Sequence, residues 1–271
     1  YEINSNSKAD FENVGLELKS SPLKKLSNGT LKSKERLVLN IINYNELSKE
    51  KFESSSFIKK NNHLLLIYYL YEKEKNFLDY LIKLVNLWDF PNDDLCIIKN
   101  DWCTIQNKIL AGEAHELSEG DTFYLGAATK GSKGGNLRTQ PYSDEPAKQR
   151  AFSLKQGYVN HIIATLAKNE KEKYGKLISI NDDNLSIEDI VYSKFNQFYN
   201  KSVDEIIKTL NITLNKKAKN VYALLTNSIL GIKTDLKIEE FVKADIIVRT
   251  VRLKTNNVPK EDISFPTFKY K

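Results

Sequence analysis

Asp10-Phe11-Glu12-Asn13-Val14-Gly15-Leu16-Glu17-Leu18-Lys19-Ser20-Ser21-Pro22 is the stretch on which the reading of the whole chain turns. From Val14 to Lys19 apolar and polar residues alternate with the period of a strand, so Glu17 and Lys19 share one face while the leucines take the other, expected to be the core face. Asp10 stands just ahead of that strand. The array is therefore Asp-x6-Glu-x-Lys, with two hard carboxylate ligands and an ammonium on neighbouring positions.

Such a set suits a divalent cation such as Mg2+, held by Asp10, Glu17 and the backbone carbonyl of Leu18, with Lys19 steadying a water nucleophile. Those are the parts that hydrolysis of a phosphodiester requires. A lone Glu-x-Lys is common on exposed strand faces, and here its context adds weight, because Lys24, Lys25, Lys32, Lys34 and Arg36 follow closely.

Outward from this segment, Ser27-Asn28-Gly29-Thr30 signals a turn, and Arg36 to Tyr44 reads as a second strand forming a hairpin with the first. A third strand is expected at Leu64 to Tyr71. Asp93 to Ala111 has helical apolar spacing, opens on acidic residues and meets Gly112 at its end. Thr122 to Leu125 reads as a short strand, Gly126 to Gly135 as a glycine and lysine loop, and Arg150 to Ala167 as a strand followed by a helix. Beyond the charged stretch Asn169 to Lys176 the pattern turns helical, with a Ser202…Glu205 capping box and a helix from Val221 to Leu230. Ile246 to Leu253 returns to strand character.

The net charge of +6, from 41 basic and 35 acidic residues, suits a polyanionic partner without identifying one. No apolar run approaches the roughly 20 residues of a bilayer span. The start lacks the basic flank and apolar run of a signal peptide, so a cytoplasmic protein with no membrane partner is expected. Cys96 and Cys103 offer neither a disulfide framework nor paired zinc spacing, and the three histidines are scattered. The absence of Met from 271 residues and the abrupt start suggest a fragment.

The segment Asp10 to Pro22 closely resembles the active-site segment of MutH and of its restriction-enzyme relatives that cut GATC, members of the PD-(D/E)xK nucleases. Ser33 to Tyr44 (Ser-Lys-Glu-Arg-Leu-Val-Leu-Asn-Ile-Ile-Asn-Tyr) and Leu137 to Asp144 (Leu-Arg-Thr-Gln-Pro-Tyr-Ser-Asp) resemble the restriction branch, the Sau-type enzymes, more strongly. The likeness runs from Asp10 to about Leu166. It implies an α/β fold, a mixed sheet flanked by helices with a DNA cleft between two lobes. It also implies that Asp10 and Glu17 bind metal, that Lys19 orients water, and that the products carry a 5′ phosphate and a 3′ hydroxyl.

Three departures from the family pattern stand out. A further Glu that the family carries on a helix ahead of the Asp would lie upstream of Tyr1, with its N-terminal helix. A family Lys just before the third strand is replaced by Asn61, Asn62 and His63, which leaves Lys60 as its substitute. A Tyr associated with sensing adenine methylation falls at Ser153. That last change favours a restriction enzyme over a mismatch-repair nickase; a DNA-binding module that no longer cuts is the rival outside enzymes.

In the resemblance the loop from Gly126 to Gly135 enters the major groove, where Lys130 and Lys133 reach phosphates or base edges, and Arg138 and Arg150 add phosphate contacts beside Lys34 and Arg36. The expected organisation is a catalytic domain over 1–170, a helical linker over 171–240, and from 241 to 271 the start of a degenerate second copy. Aligning Lys260 to Phe265 with Lys34 to Leu39 sets Ile247 at the place of Glu17 and Arg249 at that of Lys19. The expected partners are double-stranded DNA, a second copy recruited on DNA because cutting both strands needs two sites or two visits, and a cognate DNA methyltransferase.

Overall fold

In the computed structural model, which describes residues 8–131, 136–167, 173–178, 185–233 and 236–262, the chain is built around two sheets. β1 (Leu16–Lys25) turns into β2 (Leu31–Ser33); β3 (Leu37–Ile41), α1 (Tyr44–Leu47) and α2 (Ser56–Asn61) precede β4 (His63–Leu70) and β5 (Ile82–Asp89). The first sheet has the order β2-β1-β4-β5, with β1 and β4 parallel from Leu16↔His63 to Leu23↔Leu70 and the remaining pairs antiparallel.

Leu37 to Ile41 does not form the expected hairpin with β1. Ser33 explains the departure: its N–H donates to Asn160 Oδ1 at 2.8 Å and its carbonyl accepts from Gln156 Nε2 at 2.7 Å. Those two bonds hold the chain against the helix that carries Asn160, so only Leu31–Ser33 pair with β1 and the following strand enters a second sheet.

That helix follows α3 (Asn92–Leu110), β6 (Leu125–Thr129), the hairpin β7 (Leu137–Gln140) and β8 (Ser143–Lys148), and β9 (Arg150–Leu154); it is α4 (Gln156–Leu166). The second sheet has the order β3-β9-β6, all antiparallel. The expected loop from Gly126 therefore begins as strand, and only from Lys130 does the chain leave the sheet; residues 132–135 lie outside the described set. One continuous core joins the sheets and helices through Leu64, Leu66, Phe57, Ile98, Trp102, Phe152 and Tyr158.

The face assignment of β1 is the reverse of the expected one. Glu17, Lys19 and Ser21 register with Leu64, Leu66 and Tyr68, all three fully buried, so the charged residues point inward toward the second sheet. Leu16 and Leu18 take the outer face, where Val85 and Leu87 of β5 remain exposed. Alternation separates two faces of a strand without saying which one meets the other layer.

The rest of the chain comprises β10 (Tyr174–Gly175), α5 (Ile187–Asn196), α6 (Val203–Leu210), α7 (Val221–Ile229), β11 (Lys237–Ile238) and α8 (Glu239–Lys243). The Ser202 and Glu205 capping box forms as the sequence requires. Phe198, Ile206, Leu225 and Ile229 make a small core of their own, while Ile187, Ile190, Leu230 and Phe241 join the main one. α8 is fastened by buried charge: Lys243 Nζ lies 2.6 Å from Asp94 Oδ1 and 2.8 Å from Glu239 Oε1. Tyr158 donates to the other Asp94 oxygen at 2.8 Å.

Ile246 to Leu253 is not a strand; its regular pairing is a single bridge, Leu253↔Pro259. The proposed match at Lys260 to Phe265 runs past the described residues. Among the described residues no helix is long and apolar enough to cross a membrane.

One buried acid joins α3 to β6. The Asp101 carboxylate accepts N–H bonds from Phe123, Tyr124 and Leu125 at 2.6 to 2.8 Å. Burial pushes its pKa up to about 6, against the opposing pull of those three donors. Because the folded pKa lies above the unfolded one, the native state binds the extra proton between about pH 4 and 6 and gains stability there. Removing the acceptor in Asp101→Ala is expected to cost about 3 kcal/mol by leaving buried donors unpaired. With Asp101→Asn, the melting-temperature advantage of the wild type is expected to widen as pH falls from 7.5 to 5, measured by thermal denaturation.

Candidate active site

A tight reversal explains the spacing between Asp10 and Glu17. Residues Glu12–Val14 form a single helical turn closed by Gly15 in the left-handed region (φ 60°), a conformation that favours glycine. Phe11 and Leu16 are thereby paired backbone to backbone, with N···O distances of 2.9 and 3.3 Å. Asp10 is folded back beside the strand it precedes.

Each acid then caps a backbone N–H across the reversal. Asp10 N–H donates to Glu17 Oε2 and Leu18 N–H to Asp10 Oδ2, each at 3.0 Å. An extended residue sends its N–H and C=O to the same side, so the Leu18 carbonyl shares the edge on which Asp10 lies. Glu17 is 2% exposed, and its second oxygen meets two ammonium groups: Lys19 Nζ at 2.6 Å and Lys60 Nζ at 3.7 Å. Lys19 also donates to the Leu39 carbonyl of β3 at 3.4 Å. Asp10, Glu17, Lys19 and Lys60 are thus brought together from a turn, a strand and a helix. His63, by contrast, is exposed on the outer edge and bonded to Asp89.

This cluster forms one side of a cleft of about 940 Å³ that opens between the sheets. β3 and α1 contribute Asn40, Asn43 and Asn45, and the β7–β8 hairpin with its exit contributes Arg138, Thr139 and Gln149. Arg138 is exposed at the lip, its Nη2 3.2 Å from Gln149 Oε1. The cleft amides carry no motif; Asn40 and Asn43 fall within the restriction-like segment Ser33 to Tyr44, and no sequence signal pointed to Asn45 or Gln149.

The other basic residues separate. Lys34 is exposed, with Nζ 4.1 Å from the centre of the Tyr71 ring, and Arg36 is paired with Glu119. Lys130 is half-buried beside the cleft's second sheet, its N–H bonded to the Gln149 carbonyl at 2.8 Å; Lys133 lies outside the described residues. Arg150 and Ser153 are not surface contacts. Arg150 is buried in β9 with Nη1 donating to the Ala127 carbonyl at 2.7 Å, and Ser153 is 1% exposed beside the Gly126 carbonyl. Both are held inside the sheet by its middle strand.

Comparison with known proteins finds relatives of the same segment. Residues 1–101, which include the turn, β1 and Lys60, match the family of the DNA mismatch repair enzyme MutH. The chain is 43% identical over 280 aligned positions to a Type II restriction enzyme, Sau3AI of Staphylococcus aureus, an alignment that takes in 98% of this chain. The chain is MutH-like over residues 1–101. It spans about half, 56%, of the length of that restriction enzyme.

Nucleases of this family use a divalent metal, and the MutH-like cluster fits one. Its donors are carboxylate and carbonyl oxygens at the wall of an open cleft, the set for a hard cation held by one or two carboxylates and completed by water and substrate phosphate. Among the described residues no third acid, His or Cys joins them. Among the described residues Asp10 Oδ1 accepts no hydrogen bond, and the Leu18 carbonyl is turned to the same edge.

A buried carboxylate that loses its cation is strongly penalised. Lys19→Met is therefore expected to destabilise the fold by about 2 kcal/mol, with Lys60 still in place, and Lys60→Met by about 1. Removing both is expected to cost about 3 to 5 kcal/mol. Urea denaturation of the three variants measures the order.

Proposed function

We propose that this chain is the nuclease portion of a Type II restriction endonuclease that hydrolyses double-stranded DNA at GATC with Mg2+. The observation that carries the reading is the convergence of Asp10, Glu17, Lys19 and Lys60 at one wall of a cleft between two sheets. The restriction-enzyme relative supports the class, and the resemblance of Ser33 to Tyr44 and Leu137 to Asp144 to the GATC-cutting branch supports the target.

Asp10, Glu17 and the Leu18 carbonyl are the proposed metal ligands. When bound, the cation supplies charge neutralisation at the scissile phosphate and lowers the pKa of a water. Lys19, 2.6 Å from Glu17, holds the attacking water in line through its ammonium hydrogens. Lys60 stands in for the family lysine and balances the Glu17 charge from the opposite segment. Glu17 cannot swing away, because Asp10 N–H fixes one of its oxygens. The products are a 5′ phosphate and a 3′ hydroxyl.

Lys34, Arg138 and Lys130, with Lys133, are the proposed phosphate and base contacts; cleavage of both strands then calls for pairing of two copies on DNA. A GATC-cutting enzyme must be matched by a methyltransferase that protects the host's own sites, which places both in the cytoplasm. We assign residues 1–170 to the nuclease portion and 171–240 to a helical connection packed partly on it; the second copy expected from 241 is not assigned, because Phe241 belongs to the main core, Lys243 pairs with Asp94, and Ile246 to Leu253 forms no strand.

Incubation of the chain with duplexes containing GATC or a scrambled site, with Mg2+ or EDTA, tests the reading. Cutting confined to GATC with Mg2+ is expected, and Lys19→Ala is expected to lower its rate about 100-fold or more. Equal cutting of scrambled DNA would remove the GATC assignment; tight binding with no cutting would leave a DNA-binding module.

A further inference from the structure

Three side-chain amides in the cleft have their oxygens already spoken for. Asn43 caps α1, and its Oδ1 accepts from the backbone N–H groups of Asn45 and Glu46 at 3.2 and 3.4 Å. Gln149 Oε1 accepts from the Arg138 guanidinium at 3.2 Å. Asn40 Oδ1 accepts from Asn61 Nδ2 at 2.8 Å.

These orientations do not depend on telling nitrogen from oxygen in an amide. Backbone N–H groups and guanidinium only donate, so Asn43 and Gln149 must face them with oxygen. Asn61 is wholly buried, and the same nitrogen that bonds Asn40 also donates to the Phe57 carbonyl at 2.9 Å, which only accepts. Asn61 Nδ2 is thereby fixed as a donor, and Asn40 must present oxygen to it.

The NH2 groups of all three amides are therefore turned away from these internal bonds; Asn43 Oδ1 is fully used by its two donors, while Asn40 Oδ1 and Gln149 Oε1 each keep one lone pair. Reading adenine in the major groove takes an amide's oxygen and nitrogen together, a use closed to Asn43 and opposed in Asn40 and Gln149 by the internal bonds that hold their oxygens. Glu46 and Glu50 also line the cleft, but the three amides present oriented NH2 donors, which fit an acceptor-only ligand, and along a duplex the repeating one is the phosphate backbone. We infer that Asn40, Asn43 and Gln149 form an uncharged phosphate-binding wall that positions the DNA backbone in the cleft. The inference rests on the proposal that DNA is the substrate.

The fold permits a clean test, because acidic isosteres keep each internal bond while reversing the outward surface. Asp at position 43 still caps the helix, Glu at 149 still meets Arg138, and Asp at 40 still accepts from Asn61. Binding of GATC and scrambled duplexes to the 271-residue chain is followed by fluorescence anisotropy with Ca2+ in place of Mg2+, alongside melting temperatures. Asn40→Asp, Asn43→Asp and Gln149→Glu are each expected to weaken both duplexes about tenfold or more with unchanged melting temperature. Asn45→Asp, at the same lip but with no hydrogen bond to its side-chain amide among the described residues, controls for added charge and is expected to lose less than about threefold.

Asn43→Ser, which keeps the cap and adds no charge, is expected to lose about three- to fivefold, the worth of one hydrogen bond, with no change in the slope of affinity against salt. Losses no greater than that of Asn45→Asp would overturn the inference, as would a loss confined to the GATC duplex, which would mean base reading. A wild-type chain that binds neither duplex would overturn the substrate proposal itself, and this inference with it.

Discussion

A carboxylate 2% exposed has to be met by cations and donors, and the arrangement around Glu17 depends on meeting that demand. Its partners come from three places in the chain: the Asp10 backbone, Lys19 two residues on, and Lys60 from α2. The parallel pairing of β1 with β4 is what makes the third available. Parallel neighbours cannot be joined by a tight turn, so the chain must cross over between them, and here the crossover carries β3, α1 and α2. Lys60 arrives at Glu17 because α2 ends immediately before β4 begins. The carbonyl of Leu39 reaches Lys19 because β3, diverted at Ser33, passes above β1 in the other sheet.

The local chemistry of the site was legible in the sequence because it is local. Asp10, Glu17 and Lys19 lie within one turn and one strand, and the left-handed position at Gly15 sets the return between them. Lys60 came from the resemblance alone, as the substitute for a family lysine just before the third strand. The side of β1 on which these residues act was not legible. Period-two patterning is symmetric, and a strand facing a polar cleft inside the protein looks the same as one facing solvent. The exposed Val85 and Leu87 show the other half of that ambiguity, for the apolar face is here the outer one.

The remaining differences follow from contacts between distant residues. Leu37 to Ile41 has strand character in the sequence, but its choice of β9 over β1 is made by Asn160 and Gln156, more than a hundred residues away. The glycine at 126 suggested a loop, yet a central β9 partner and small neighbours at 127 and 128 carry the chain on as strand. Arg150 looked like a phosphate contact until its guanidinium was seen bonded to the Ala127 carbonyl across the same sheet. Ile246 to Leu253 has the residues of a strand but only one bridge, because a strand without a partner ladder has nothing to satisfy its backbone except water.

Charge balance connects the cluster to the amides that share its cleft. Asp10 and Glu17 together carry two negative charges, and Lys19 and Lys60 two positive ones, so the protein groups nearly cancel at the place where metal and phosphate would meet. Strong fixed positive charge at the amide positions would bind a polyanion tightly in every register, cut or uncut, and would do so with steep salt dependence. Oriented amides avoid that. Their donors are held by bonds to α1, to Asn61 and to Arg138, so they cost little reorganisation when an anion arrives, and they add directionality without adding charge. Arg138 is the exception that fits the rule: part of its guanidinium is spent on orienting Gln149, and the remainder stays exposed at the lip, where a duplex would first be met.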